Sequence, residues 1–211
     1  MHPYEISTTL RTRGKEQSIK LNYGSLYAVV ESLQKHDLVR ALETTRDGRR
    51  PERTVYEITE AGVTEFEDWL AELLSTPVRD FTSLEAGLSL MAGLPPDEVA
   101  RLLTERATRL RMDLRTIESS LSVAADMSLP DVFLVESFYR RTMLEAELGF
   151  VTKLADDIAS SSFSGTKVWR RLHELRAGGL TFEAIMADPI GHLGEEARAL
   201  LGPPQQEQPP G

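Results

Sequence analysis

Seven apolar residues, Leu103, Ala107, Leu110, Leu114, Ile117, Leu121 and Ala124, follow one another at spacings of 4, 3, 4, 3, 4 and 3. Only a helix brings positions so spaced onto one line, and the repeat is that of a coiled-coil seam. Pro95-Pro96-Asp97 opens this segment, which runs to about Met127. Pro130-Asp131 opens a second long helix to about Ile158, carrying Leu134, Phe138, Leu144, Leu148 and Val151. Two such helices joined by a short proline turn predict an antiparallel hairpin. One hairpin is too thin to bury its own apolar faces. The regular heptad therefore predicts packing on a second copy, with Leu103, Leu110, Leu114, Ile117, Leu121, Phe138, Leu144, Leu148 and Val151 as the dimerisation residues. Cover by the shorter flanking helices of the same chain is the alternative.

The rest of the chain changes period twice. Pro3 and Gly14 bracket a short helix over about 4–13, with Ile6 and Leu10 one turn apart. Residues 15–21 read as a turn. Asn22 can cap a helix whose stripe is Leu26, Val29, Val30 and Leu33, ending near His36. From Leu38 to Thr45 and from Thr54 to Thr59 the residues are β-branched, aromatic and interspersed with polar ones. The Asp47-Gly48 turn signal between them predicts a β-hairpin with a basic tip. Thr59 then caps a helix with Phe66, Trp69, Leu70, Leu73 and Leu74 on one face, ended by Pro77. Phe81, Leu84, Leu88 and Met91 mark a helix closed by Gly93; shorter helices are predicted around 168–176 and 181–187. The fold class is thus mainly α. A winged helix-turn-helix domain with a two-stranded hairpin wing (1–75) precedes an antiparallel long-helix dimerisation domain (76–187). A tail (188–211) follows, unstructured from 202, where apolar residues are too few to pack.

The 211 residues carry 24 Lys+Arg and 33 Asp+Glu, a net charge of −9, which alone argues against a polyanionic partner. The charge is not evenly placed. Residues 11–53 hold 10 basic and 6 acidic residues, whereas 63–211 hold 14 and 24. A local basic face, rather than the total, decides binding to a polyanion. There is no cysteine, so disulfides and Cys-ligated metals are excluded. No stretch has the length and apolarity of a membrane span or the pattern of a secretory signal, so no membrane partner and a cytoplasmic location are expected. The four histidines are far apart and no metal site is expected. No phosphate-binding glycine loop, zinc-type His pair or nucleophile elbow occurs, so no catalysis and no cofactor are expected.

Helix, turn, helix and β-hairpin is the order of a winged helix, whose second helix enters the major groove of DNA. That helix begins Asn22-Tyr23-Gly24-Ser25-Leu26-Tyr27. Tyr23, Ser25 and Tyr27 offer hydroxyls, Gly24 allows close backbone approach, and Arg46, Arg49, Arg50 and Arg53 equip the wing for phosphate or minor-groove contact. These nine positions, Asn22 included, are the candidate DNA-binding residues.

Three stretches also carry a resemblance: His2-Pro3-Tyr4-Glu5-Ile6, then Gly24-Ser25-Leu26-Tyr27 running to Leu38-Val39, then Gly48-Arg49-Arg50-Pro51 running to Tyr56-Glu57-Ile58-Thr59-Glu60-Ala61-Gly62. In this order and at these separations the chain resembles the PadR-type transcriptional regulators over roughly 1–175. The resemblance implies a winged-helix domain, a homodimer on a two-fold operator, no cofactor, and a repressor, in some members relieved by a small aromatic or drug-like effector. In that family an apolar helix normally precedes the His-x-Tyr-Glu stretch; here the chain starts at that stretch, so an upstream start or cover by the C-terminal helices is expected. The family also often has Glu-Gly-Leu where this chain has His36-Asp37-Leu38. A winged-helix module that binds protein or a small ligand without specific DNA binding is the competing expectation.

Overall fold

The structure, a computed structural model, describes residues 1–15, 23–45 and 53–201. It divides into two compact units, Met1–Asp80 and Phe81–Gly211.

In the first unit, α1 spans Pro3–Thr12. Pro3 sits where its missing N–H is no loss, and the His2 Nδ1 accepts from the Tyr4 N–H at 3.1 Å. Glu5 completes the cap by accepting from the His2 N–H at 3.0 Å. The second helix, α2, is Leu26–Lys35, preceded by a 3₁₀ turn over Tyr23–Ser25. The predicted start at Asn22 is therefore corrected for the α-helix proper. Gly24 disfavours α-helix, and a tighter turn at a helix start is the usual outcome. Of the expected stripe, Val30 is buried and Leu26 and Leu33 half-buried, but Val29 is exposed.

Strands β1 (Val39–Thr45) and β2 (Arg53–Ile58) pair antiparallel, with Val39 opposite Ile58 and Thr45 opposite Arg53. The register slips between Ala41 and Glu43, leaving Leu42 as a bulge. Across the ladder the Arg40 guanidinium donates to the Glu57 carboxylate at 2.8 and 3.0 Å. The third helix, α3, spans Glu60–Ser75. Its apolar residues Phe66, Trp69, Leu70, Leu73 and Leu74 are all exposed. At its base an apolar groove of about 380 Å³ is lined by Leu33, Leu38, Val39, Ile58, Phe66 and Trp69.

One junction holds these pieces. The Thr59 hydroxyl donates to the Asp37 carbonyl at 2.6 Å and accepts from the Gly62 N–H at 3.0 Å. The Thr59 N–H donates to the Leu38 carbonyl at 3.0 Å. A Cβ at position 62 would stand 2.0 Å from that same Leu38 oxygen, so only glycine fits. Gly62→Ala should cost about 1–3 kcal/mol through forced displacement of backbone. Thermal unfolding followed by circular dichroism checks this; an unchanged midpoint would refute the tight junction.

The second unit is helical: α4 (Ser83–Ser89), α5 (Pro96–Asp126), α6 (Val135–Ala159), α7 (Thr166–Ala177), α8 (Phe182–Ala187) and α9 (Pro189–Leu193). The long hairpin is α5 against α6, with a 3₁₀ turn over Asp131–Phe133 where a helix start was predicted. Its core joins Val99, Leu103, Ala107 and Leu110 to Val151, Leu154 and Ile158. Much of the heptad seam is covered within the chain. Leu103, Leu110, Leu114 and Ile117 are buried inside one chain, and Leu121 is half-buried. Val151 is fully buried, Leu144 and Leu148 pack on the same core, and Phe138 is half-buried. A 31-residue helix opposite a 25-residue one offers enough surface to satisfy a heptad within the hairpin. An Arg106–Glu147 ion pair at 2.6 Å joins the two helices.

Residues 188–201, expected as tail, fold: Leu193 and Ala197 are buried with Ile185 in a small second core. Helix α7 fastens the entry to α5. The Trp169 Nε1–H donates to the Leu94 and Ala92 carbonyls at 2.8 and 3.2 Å, and Arg170 pairs with Asp97 at 2.6 Å. No helix among the described residues is long and apolar enough to cross a membrane. The predicted disordered stretch from Gly202 lies outside the described residues.

Candidate nucleic-acid interface

The first unit presents one helix start and one hairpin on a common frame, because the Thr59–Gly62–Leu38 junction ties the end of α2 to the base of both strands and to α3. Ser25 stands at the N-cap of α2 with φ −98° and ψ −5°, and its hydroxyl makes no cap hydrogen bond to the helix. Gly24 precedes it in the 3₁₀ turn and is exposed. Tyr27, in the first turn, is 56% exposed, with its ring edge-on to His2 at 6.3 Å between centroids. Tyr27, Glu31 and Lys35 share the outer face of α2 at four-residue intervals and are all exposed. Tyr23 begins the turn, but its side chain lies outside the described residues, as does Asn22 altogether.

Arg53 opens β2, paired with Thr45. Arg46, Arg49 and Arg50 fall between those strand ends in sequence and lie outside the described residues, as does the Arg53 side chain. The structure therefore brings Gly24, Ser25 and Tyr27 together at one helix start. Arg40 was missed by sequence reasoning as a wing residue; it is a largely exposed cation near the base of β1, held by Glu57. Alternation along β1 and β2 was the signal that could have paired it. Among the described residues no group of three or more His, Asp or Glu could hold a metal ion.

This arrangement is that of a winged helix. The family model described as "Transcriptional regulator PadR-like family" matches residues 1–68. Residues 1–68 are thus similar to the N-terminal domain of PadR-like regulators. The solved structure of Bacillus subtilis PadR in complex with operator DNA is similar in fold, with a TM-score of 0.58 at 20% identity, over 76% of this chain and 90% of that one. The crystal structure of smu.1604c from Streptococcus mutans UA159 aligns with a TM-score of 0.45 at 19% identity, over 64% of this chain and 79% of that one. No functionally curated protein matches the chain.

Tyr27 and Val30 differ in what they contribute to folding. Tyr27→Ala should change stability by less than about 0.5 kcal/mol, as for other exposed sites. Val30→Ala, at a position only 5% exposed, should cost about 1–3 kcal/mol. Denaturant melts of both variants check this; a large loss with Tyr27→Ala would make it a folding residue.

Proposed function

We propose that this chain is a DNA-binding transcriptional regulator that acts as a homodimeric repressor on a two-fold operator. The observation that carries the reading is the start of α2. There Gly24, Ser25 and Tyr27 cluster at the exposed N-terminus of a 10-residue helix inside a PadR-like winged helix. Helix N-termini carry unpaired N–H groups and a positive partial charge, which suit phosphate or base-edge acceptors. The hydroxyls of Ser25 and Tyr27 add donors and acceptors. The similar fold of a PadR solved with operator DNA supports the same role.

In this reading Arg46, Arg49, Arg50 and Arg53 hold flanking phosphates, and Asn22, Tyr23, Ser25 and Tyr27 face the groove. The net −9 of the whole chain keeps non-specific wrapping weak, leaving the basic stretch 11–53 to dock. For the small-molecule effector that the resemblance implies, the open groove between α4 and α5 is of suitable size, about 550 Å³. It is lined by Leu84, Leu88, Met91 and Leu110 together with Arg106 and Arg109.

The test is a gel shift with the DNA upstream of the protein's own gene, at two salt concentrations, against a scrambled competitor. Arg49→Ala with Arg50→Ala should weaken binding to all sequences and flatten the salt slope by about 0.9 per lost phosphate contact. Ser25→Ala should instead reduce discrimination between operator and competitor. Absence of any specific shift at low salt would favour the protein- or ligand-binding module.

A further inference from the structure

His2, at the start of α1, is half-buried and held in four ways. Pro3 follows it, and the residue before a proline is confined to extended backbone. His2 accordingly has φ −75° and ψ 147°, the conformation of a helix N-cap. Its N–H donates to the Glu5 carboxylate at 3.0 Å. Its Nδ1 accepts from the Tyr4 N–H at 3.1 Å, so that nitrogen is unprotonated and the ring hydrogen is on Nε2. The ring so fixed meets the Tyr27 ring edge to face, with 6.3 Å between centroids and the planes inclined by 75°. Capping alone does not account for a histidine, because Asn, Asp, Ser and Thr cap helices well. What imidazole adds is a ring that reaches α2. Tyr27 is 56% exposed, and exposed side chains exchange rotamers within nanoseconds. The His2 ring limits that freedom on one side.

We propose that His2 is a positioning residue for DNA reading: its neutral imidazole holds Tyr27 at the start of α2, and a proton on Nδ1 releases it. The inference rests on the DNA-binding reading above and adds a residue outside the helix start and wing named there. A proton on Nδ1 sets two donors against each other at the Tyr4 N–H. It also places a cation at the positive end of α1, which the helix dipole disfavours. The ring must then turn away, and Tyr27 loses its support. The charged groups on the elements packed around the ring are each accounted for. On α1, Glu5 is engaged by the His2 N–H. On α2, Glu31 lies one turn beyond Tyr27 on the same exposed face. Beside β2, the Met1 ammonium donates to the Tyr56 carbonyl at 2.6 Å, and Glu57 accepts from Arg40. An added imidazolium ordinarily strengthens binding to a polyanion. Here it weakens binding, and that sign separates positioning from simple charge.

The test is binding of the full chain to the DNA upstream of its own gene, at fixed salt. It is run at about pH 8 and at about pH 5.5, between which imidazoles gain a proton. Wild-type affinity should fall by about threefold or more at the lower pH, the scale of one edge-to-face ring pair. His2→Asn keeps a capping side chain and removes the ring. It should lower affinity by a similar factor at the higher pH and lose no more on acidification. In a Tyr27→Ala background His2→Asn should have no further effect. An equal loss there would make His2 a structural cap and overturn the proposal, as would a wild-type affinity that stays level or rises on acidification. A second measurement needs no DNA. With tyrosine rings isotope-labelled, Tyr27→Phe assigns the Tyr27 signal among the five tyrosines by NMR. That signal should move across the same pH range in the wild type and stay still in His2→Asn. An unmoved signal overturns the positioning role whatever the DNA result. A signal that moves in a chain giving no specific gel shift would sink the DNA reading and leave the ring contact standing.

Discussion

The Leu38 carbonyl is where the N-terminal unit is held together. It receives the Thr59 N–H, and it sits so close to Gly62 that no side chain can intervene. One residue earlier the Asp37 carbonyl receives the Thr59 hydroxyl, and that same hydroxyl caps α3. The end of α2, the first pair of the wing and the first turn of α3 therefore share a few atoms of backbone. These are short, directional bonds rather than adaptable apolar contacts, and they fix angles as well as distances. A helix start and a wing carried on one frame need such angles fixed. The core of the unit could not fix them alone. Its buried apolar side chains among those described are Pro3 and Val30, supported by half-buried Leu26, Leu33 and Leu38.

That junction also explains a departure from the family pattern. Where the resemblance has glycine, this chain has Asp37, and Asp37 adopts φ +58°. The left-handed region is costly for most side chains but tolerable for aspartate. The requirement is thus conformational, and Asp meets it less comfortably than Gly would. The position was visible in the sequence as an oddity. Its meaning was not, because a positive φ follows from the turn that sends the chain from α2 to β1.

Elements with strong period were legible from residues alone. The helix over Pro3–Thr12, the hairpin of β1 and β2, and the long helices α5 and α6 fall where their spacing and caps place them. What failed was local or relational. The Asn22 start failed because Gly24 admits a tighter turn before Leu26. The fold of 189–201 was missed because its helix α9 spans five residues, too few for a period to show. A 4-3 repeat specifies that a seam is covered, not which chain covers it, so the burial of Leu103, Leu110, Leu114 and Ile117 within one chain could not be read from the spacing. Of the candidate interface, the helix-start cluster was readable from hydroxyls and glycine beside a buried stripe, whereas the Arg40–Glu57 pairing depended on a strand register that the sequence leaves open.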